Sequence, residues 1–151
     1  MYRKQVLLPN HTQINQSLQR SNINGNIDVK INIHPQDQFA WVDQLQLGQV
    51  FVNLITNSAQ AMDGQGILTF IAFQTTDNKY LQIDIMDNGP GISHENIDKI
   101  FEPLYTSKAK GTGLGLSICK QIIEKHGGEI RINSEINKGT NVSILLPVND
   151  V

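Results

Sequence analysis

Cysteine is nearly absent: Cys119 stands alone in 151 residues, which excludes an internal disulfide and fits a reducing compartment. It reads as a small core residue on the face carrying Ile118 and Ile122. No apolar run approaches the roughly 18 residues that would span a bilayer, and the N-terminus lacks the apolar stretch of a signal peptide. The chain as given is therefore expected to be cytoplasmic and to make no membrane contact, whatever the anchoring of a longer parent. Basic runs are missing too. With 12 Lys and Arg against 14 Asp and Glu, the formal net charge is −2, which makes nucleic acid a poor partner. There is no internal repeat and no low-complexity tract. A hydrophobic fraction of 39% over this length matches one ordinary globular domain able to bury a core.

The two commonest phosphate-loop signatures are also absent. A P-loop places Lys and then Ser or Thr directly after its last glycine, and a dinucleotide fingerprint places GxGxxG in an early βαβ unit. This chain instead carries Gly111-Thr112-Gly113-Leu114-Gly115-Leu116-Ser117 late in the sequence, downstream of Asp87-Asn88-Gly89-Pro90-Gly91. Glycines let a backbone approach a ligand that any Cβ would push away. The second cluster opens a helix-periodic stretch from Leu114 to His126, so its free amides suit an anion such as a nucleotide phosphate. Taken alone, GxGxG is equally a plain loop-to-helix turn.

Residues 1–24 are polar, with a helical hint from His11 to Arg20, and read as a linker or lead-in helix. Residues 25–151 read as the domain. Ile27, Val29, Ile31 and Ile33 alternate with polar residues, predicting a half-buried strand ended by His34-Pro35. Phe39 to Val42 is expected to be a short partner strand. Asp43 then caps a long helix, Gln44 to Met62, with Leu47, Val50, Phe51, Leu54 and Ser58 on its buried face. Gly66 to Gln74 and Tyr80 to Met86 read as a hairpin. Residues 88–112 form a long loop with a helical turn near Glu95 to Phe101, and loops of that length inside a compact domain are usually functional. Gly127-Gly128 caps the second long helix, and Glu129 to Ser134 and Thr140 to Leu146 read as closing strands.

Asn53 and Asn57, four apart, share a helix face beside the apolar stripe. An amide carbonyl is a hard oxygen ligand for Mg²⁺, which in nucleotide sites takes few protein ligands; alternatively the two amides cap loop backbone. Asp87 ends a strand that alternates Leu81, Ile83 and Ile85 with polar residues. Its carboxylate only accepts hydrogen bonds and so suits the exocyclic amine of adenine, or else opens an Asx turn. Lys108 offers a point charge to a terminal phosphate, or is a solvated surface lysine.

Four segments occur in order: Asn53-Leu54-Ile55-Thr56-Asn57-Ser58-Ala59-Gln60-Ala61, Asp87-Asn88-Gly89-Pro90-Gly91-Ile92, Ile100-Phe101-Glu102-Pro103-Leu104-Tyr105-Thr106-Ser107-Lys108, and Gly111-Thr112-Gly113-Leu114-Gly115-Leu116. They resemble the N, G1, F and G2 boxes of sensor histidine kinases. The resemblance implies an α+β, two-layer sandwich of the Bergerat type, a mixed sheet with helices on one face and a mobile ATP lid. It also implies that ATP and Mg²⁺ are the ligands, with Asn57 holding the metal, Asn53 a nearby polar contact and Asp87 on the adenine amine. Gly89, Gly91 and Ile92 would pass the base, and Ala61, Phe101, Tyr105, Thr106 and Lys108 would line the site. The amides of Gly111, Thr112, Gly113, Leu114, Gly115 and Leu116 would hold phosphates, and Thr140 would lie near Asp87. Leu104-Tyr105 departs from the two aromatics usual in similar kinases.

Related ATPases of this fold carry a water-activating Glu where Asn53 stands, and an amide cannot serve as a general base. The resemblance therefore implies a catalytic domain that orients ATP, with Asn53, Asn57 and Lys108 as its catalytic groups, and passes the γ-phosphoryl group to a nucleophile. In the resembled family that nucleophile is a histidine on a separate dimerisation and phosphoacceptor domain, from which a response regulator receiver domain is served. In that family the acceptor is a His followed by an acidic residue within a helix, and none of the four histidines fits: His11 is followed by Thr, His34 precedes Pro, His94 sits in the lid, and His126 stands at a helix C-terminus before Gly-Gly, where it reads as a cap. The isolated chain is expected to be monomeric, to bind ATP and not to label itself. The alternatives are a nucleotide-binding regulatory module without kinase activity and a serine kinase of the anti-sigma type.

Overall fold

The computed structural model describes residues 2–5, 8–20, 25–34, 39–105 and 115–148. In chain order the elements are β1 (Tyr2–Gln5), α1 (His11–Arg20), β2 (Asn26–His34), β3 (Phe39–Val42), α2 (Gln44–Ala61), β4 (Gln65–Gln74), β5 (Tyr80–Asp87), α3 (His94–Ile97), α4 (Gly115–Lys125), β6 (Glu129–Glu135) and β7 (Gly139–Pro147). Five strands make one sheet in the order β2-β4-β5-β7-β6. β2 and β4 run parallel, and the other neighbours are antiparallel. The fold is α+β, a mixed sheet with helices on one face.

Period-two alternation decides which side chains face those helices. The paired registers line up successive inward rows across the sheet. Ile33, Ala72, Ile83, Ile144 and Ile130 form one, and Ile31, Phe70, Ile85, Val142 and Ile132 the next. From the helix side, Leu47, Val50, Phe51, Leu54 and Ile55 of α2 and Cys119, Ile122 and Ile123 of α4 complete the core. Phe51 meets Phe70 edge-on, with ring centroids 6.4 Å apart. Among the described residues no helix is long and apolar enough to cross a membrane.

Local chemistry sets the element ends. Asp43 Oδ1 accepts the Leu45 and Gln46 amides at 3.0 and 3.2 Å, an N-cap that starts α2. Between β4 and β5, Thr75 N–H donates to the Tyr80 carbonyl at 2.9 Å, and Asp77 Oδ1 accepts the Thr75 hydroxyl at 2.6 Å and the Lys79 amide at 3.1 Å. These bonds stabilise the charged Asp77 carboxylate and hold its pKa below the ordinary value.

Two expectations are revised. β3 pairs with β1, not with β2, because the α2 crossover brings β4 alongside β2 as its parallel partner while Ala40 and Val42 turn into the core. The leading segment is more than a tether: β1 pairs with β3, and α1 lies on α2 with Ile14 fully buried.

One long-range bond ties the two long helices together. His126, just past α4 and only 5% exposed, accepts the Asp43 N–H on Nε2 at 2.8 Å. Its ring proton therefore sits on Nδ1, which donates to the Ile122 carbonyl at 2.6 Å. The end of α4 is thereby fastened to the start of α2. His126→Ala should destabilise the domain by about 2–4 kcal/mol, through an unpaired buried amide and an unfilled volume. Urea unfolding would show a lower midpoint at unchanged slope; a midpoint equal to that of the parent chain would mean the tie is dispensable.

Candidate functional site

The last inward row of the sheet is not apolar. Where Leu68 of β4 leads on to β5, β7 and β6, the register aligns Asp87, Thr140 and Ser134. Directly opposed residues of antiparallel strands bring their Cβ atoms to about 5 Å, so three polar side chains share the rim of the core-facing surface. Asp87 is half-buried. Its Oδ1 accepts the Gly89 amide at 3.0 Å, as in an Asx turn, and no described residue donates to Oδ2.

The loop after β5 is fastened on three sides. Asn88 Oδ1 accepts the Ile67 amide at 2.8 Å, Asn137 N–H donates to the Pro90 carbonyl at 2.8 Å, and Ile92 N–H donates to Ser134 Oγ at 2.8 Å. The glycines are required by contact. At Gly91, φ is +75° and a Cβ would stand 2.1 Å from the Glu135 carbonyl oxygen; at Gly139, φ is +108° and a Cβ would stand 2.0 Å from that of Asp87. Both clashes are with backbone. Gly89 lies over the end of α2, where a Cβ would be 3.4 Å from Met62 Cγ and 3.6 Å from the Ala61 carbonyl carbon.

The second group of candidates follows the seam between α2 and α4, which run antiparallel. His126 meets Asp43 at one end, Cys119 reaches the Val50 carbonyl at 3.9 Å in the middle, and Gly115 faces Asn57 at the other. A Cβ on Gly115 would lie 3.9 Å from Asn57 Nδ2. Asn53, half-buried, hydrogen-bonds the Cys119 thiol. Thus Asn57 stands beside the start of α4, whose first-turn amides have no partners within the helix. Leu116 packs on the core.

Of the remaining candidates, Phe101 is half-buried against the core, with Lys120 Nζ 5.5 Å from its ring centroid. Tyr105 N–H donates to the Glu102 carbonyl at 3.2 Å, closing a turn. Leu104 is 73% exposed at a φ of +68°, so the departure at this pair presents an apolar side chain to solvent. Neither Phe101 nor Tyr105 is joined by a described hydrogen bond to the Asp87 row. Thr106, Lys108, Gly111, Thr112, Gly113 and Leu114 lie outside the described residues. No cluster of three or more His, Cys, Asp or Glu suited to a metal exists among the described residues.

Ser134 and Asn88 were missed as site residues. The signal for Ser134 was available: Ile130, Ile132 and Ser134 share one alternation, which turns the serine inward. Asn88 gave no such sign, since its acceptor role depends on how β4 begins 21 residues earlier.

A mixed sheet covered on one face by helices, with glycine-bearing loops at one end of its central strands, defines a nucleotide-binding domain of the α+β class. The family model described as Histidine kinase-, DNA gyrase B-, and HSP90-like ATPase matches residues 42–150, and the chain belongs to that family. Sporulation kinase D of Bacillus subtilis (strain 168) is 49% identical over 100 residues, 66% of this chain and 19% of the relative. Sensor histidine kinase ZraS of Escherichia coli (strain K12) is 35% identical over 142 residues, 92% of this chain and 30% of the relative. The chain thus spans under a third of the length of these two kinases. The solved catalytic domain of histidine kinase ThkA matches with a TM-score of 0.77 at 26% identity, over 99% of this chain and 100% of that one. ThkA has also been solved in complex with the response regulator protein TrrA; that structure matches at a TM-score of 0.73 and 26% identity, over 92% of this chain and 38% of that one.

Desolvation pushes the Cys119 thiol up from the ordinary 9.0 to about 11, against a smaller lowering by the Asn53 hydrogen bond. With the folded value raised, the unfolded chain loses its proton first. The resulting stability is present in full below pH 9.0 and lost as pH rises toward about 11. Unfolding free energies of the parent chain and of Cys119→Ala, measured across that window, should therefore converge or cross as pH rises. A constant difference would place the thiol in a more polar setting than its burial indicates.

Proposed function

We propose that this chain binds Mg-ATP and presents its γ-phosphoryl group to a histidine on a separate dimerisation and phosphoacceptor domain, as the catalytic part of a two-component kinase. The observation that carries this reading is the half-buried Asp87 carboxylate. One oxygen is engaged by the Gly89 amide and the other has no donor among the described residues, at the end of β5 where Gly91 in the following loop and Gly139 at the start of β7 can carry no side chain. A base would meet an acceptor at that rim with backbone close around it. Family membership and the histidine kinases among the relatives support the same reading.

Asn57 would lie on the phosphate side. Its amide is a hard oxygen donor beside the start of α4, where helix amides favour phosphate. The donor set fits Mg²⁺ held by one protein oxygen, phosphate oxygens and water rather than by a carboxylate cage. When bound, the ion neutralises charge on the phosphate oxygens. Asn53 supplies no base, so water is not activated and the phosphoryl group is kept for the incoming histidine. We place Lys108 and the amides from Gly111 onward against the phosphates on the strength of the box pattern. A response regulator receiver domain is the downstream partner, by analogy with the ThkA–TrrA complex.

Calorimetric titration with ATP and GTP, with and without Mg²⁺, tests this directly. Adenine-selective, Mg²⁺-sensitive binding is expected, and acid-labile label should appear on a supplied phosphoacceptor domain but not on this chain alone. Asp87→Asn should weaken ATP binding by about 1–3 kcal/mol through loss of a charge-assisted hydrogen bond; an unchanged affinity removes Asp87 from the site. Asn57→Ala should abolish most of the Mg²⁺ dependence, and a mutant that responds to Mg²⁺ as the parent does refutes that role.

A further inference from the structure

Ser134 is 6% exposed, and its one hydroxyl meets three partners. It accepts the Ile92 amide at 2.8 Å, lies 2.9 Å from the Gly139 carbonyl and lies 2.9 Å from Thr140 Oγ1. A serine oxygen has one proton and two lone pairs. The Gly139 carbonyl can only accept, so it takes the Ser134 proton; the Ile92 amide can only donate, so it fills one lone pair. The contact with Thr140 is then satisfied in a single way, with the Thr140 proton directed into the second lone pair. The alternative turns Ser134 toward Thr140 and leaves two oxygens facing each other lone pair to lone pair at the Gly139 contact. Thr140 has spent its proton inside the protein and offers only lone pairs outward. Directly across β5 and β7 stands Asp87, which is also an acceptor when ionised.

We infer that Ser134 is a positioning residue for base selection: by taking the Thr140 proton it makes Thr140 a second acceptor beside Asp87, so the rim selects a six-amino purine over a six-keto one. This rests on the proposed reading that Asp87 faces the base of ATP. An amine with two N–H groups satisfies an acceptor-lined rim, whereas a keto oxygen placed there leaves lone pairs opposed and unpaired, the kind of mismatch by which buried polar sites discriminate strongly. Without Ser134, the Thr140 hydroxyl can turn and donate, and the rim no longer holds a fixed sense.

The test compares ATP with inosine triphosphate, which carries a keto oxygen where ATP has its amine, by calorimetry on the parent chain, Ser134→Ala, Thr140→Val and the double variant. The parent chain should prefer ATP, and Ser134→Ala should narrow that preference by about tenfold, the scale of one hydrogen bond reversed in sense. In the Thr140→Val background, adding Ser134→Ala should change the ratio by less than about twofold, because its route through Thr140 is gone. Equal weakening of both nucleotides by Ser134→Ala, or an undiminished effect without the Thr140 hydroxyl, would show a purely structural role and overturn the inference. Should Ser134→Ala fail to fold, Ser134→Cys keeps the volume with a far weaker acceptor and is read the same way. A parent chain that binds ATP without preferring it over inosine triphosphate overturns the inference alone; one that binds neither overturns the ATP reading and this inference with it.

Discussion

Everything at the site hangs on the register of β5 against β7. The pairing that sets Ile83 opposite Ile144 and Ile85 opposite Val142 also sets Asp87 opposite Thr140, two residues further along the same face. A slip by one residue would turn every one of these side chains to the other side of the sheet, exposing the apolar rows and carrying the carboxylate away from the helices. The core and the polar rim are therefore specified together. Burial of the two apolar rows holds the register, and the register delivers the carboxylate at no further cost in ordering.

Much of this was legible in the residues. Alternation marked β2, β5, β6 and β7, the Asp43 cap and apolar spacing marked α2, and the four boxes in order marked the family. The partner of β3 was not legible, because strand pairing is decided by crossovers and distant contacts rather than by the four residues of the strand. The role of His126 was also hidden. A histidine before Gly-Gly suggests a local cap, yet its acceptor nitrogen serves an amide 83 positions away. Asp87 was read as either an Asx turn or an acceptor for the adenine amine; one oxygen makes the turn, and the other receives no hydrogen bond from a described residue.

Division of labour between the two ends of the site follows from what each is built of. The Asp87 end is held by sheet hydrogen bonds and by glycines whose positions no side chain could share, so its shape is set once the sheet forms. The Asn57 end is built from the facing surfaces of two helices, where a Cβ on Gly115 would lie 3.9 Å from the Asn57 amide nitrogen.

The bond from His126 to the Asp43 amide gives α4 the mechanics of a lever. It holds the helix at the end remote from Asn57, so a tilt about that point moves the Gly115 end the most. Eleven helical residues make an arm of about 16 Å, so a tilt of about 5° would carry the first turn through about 1.4 Å. That distance separates an amide in hydrogen-bond reach of a phosphate oxygen from one that is out of reach. A small rotation at a buried histidine would thereby be converted into a displacement of the first turn of α4 and, on the proposed reading, into a change of its grip on phosphate.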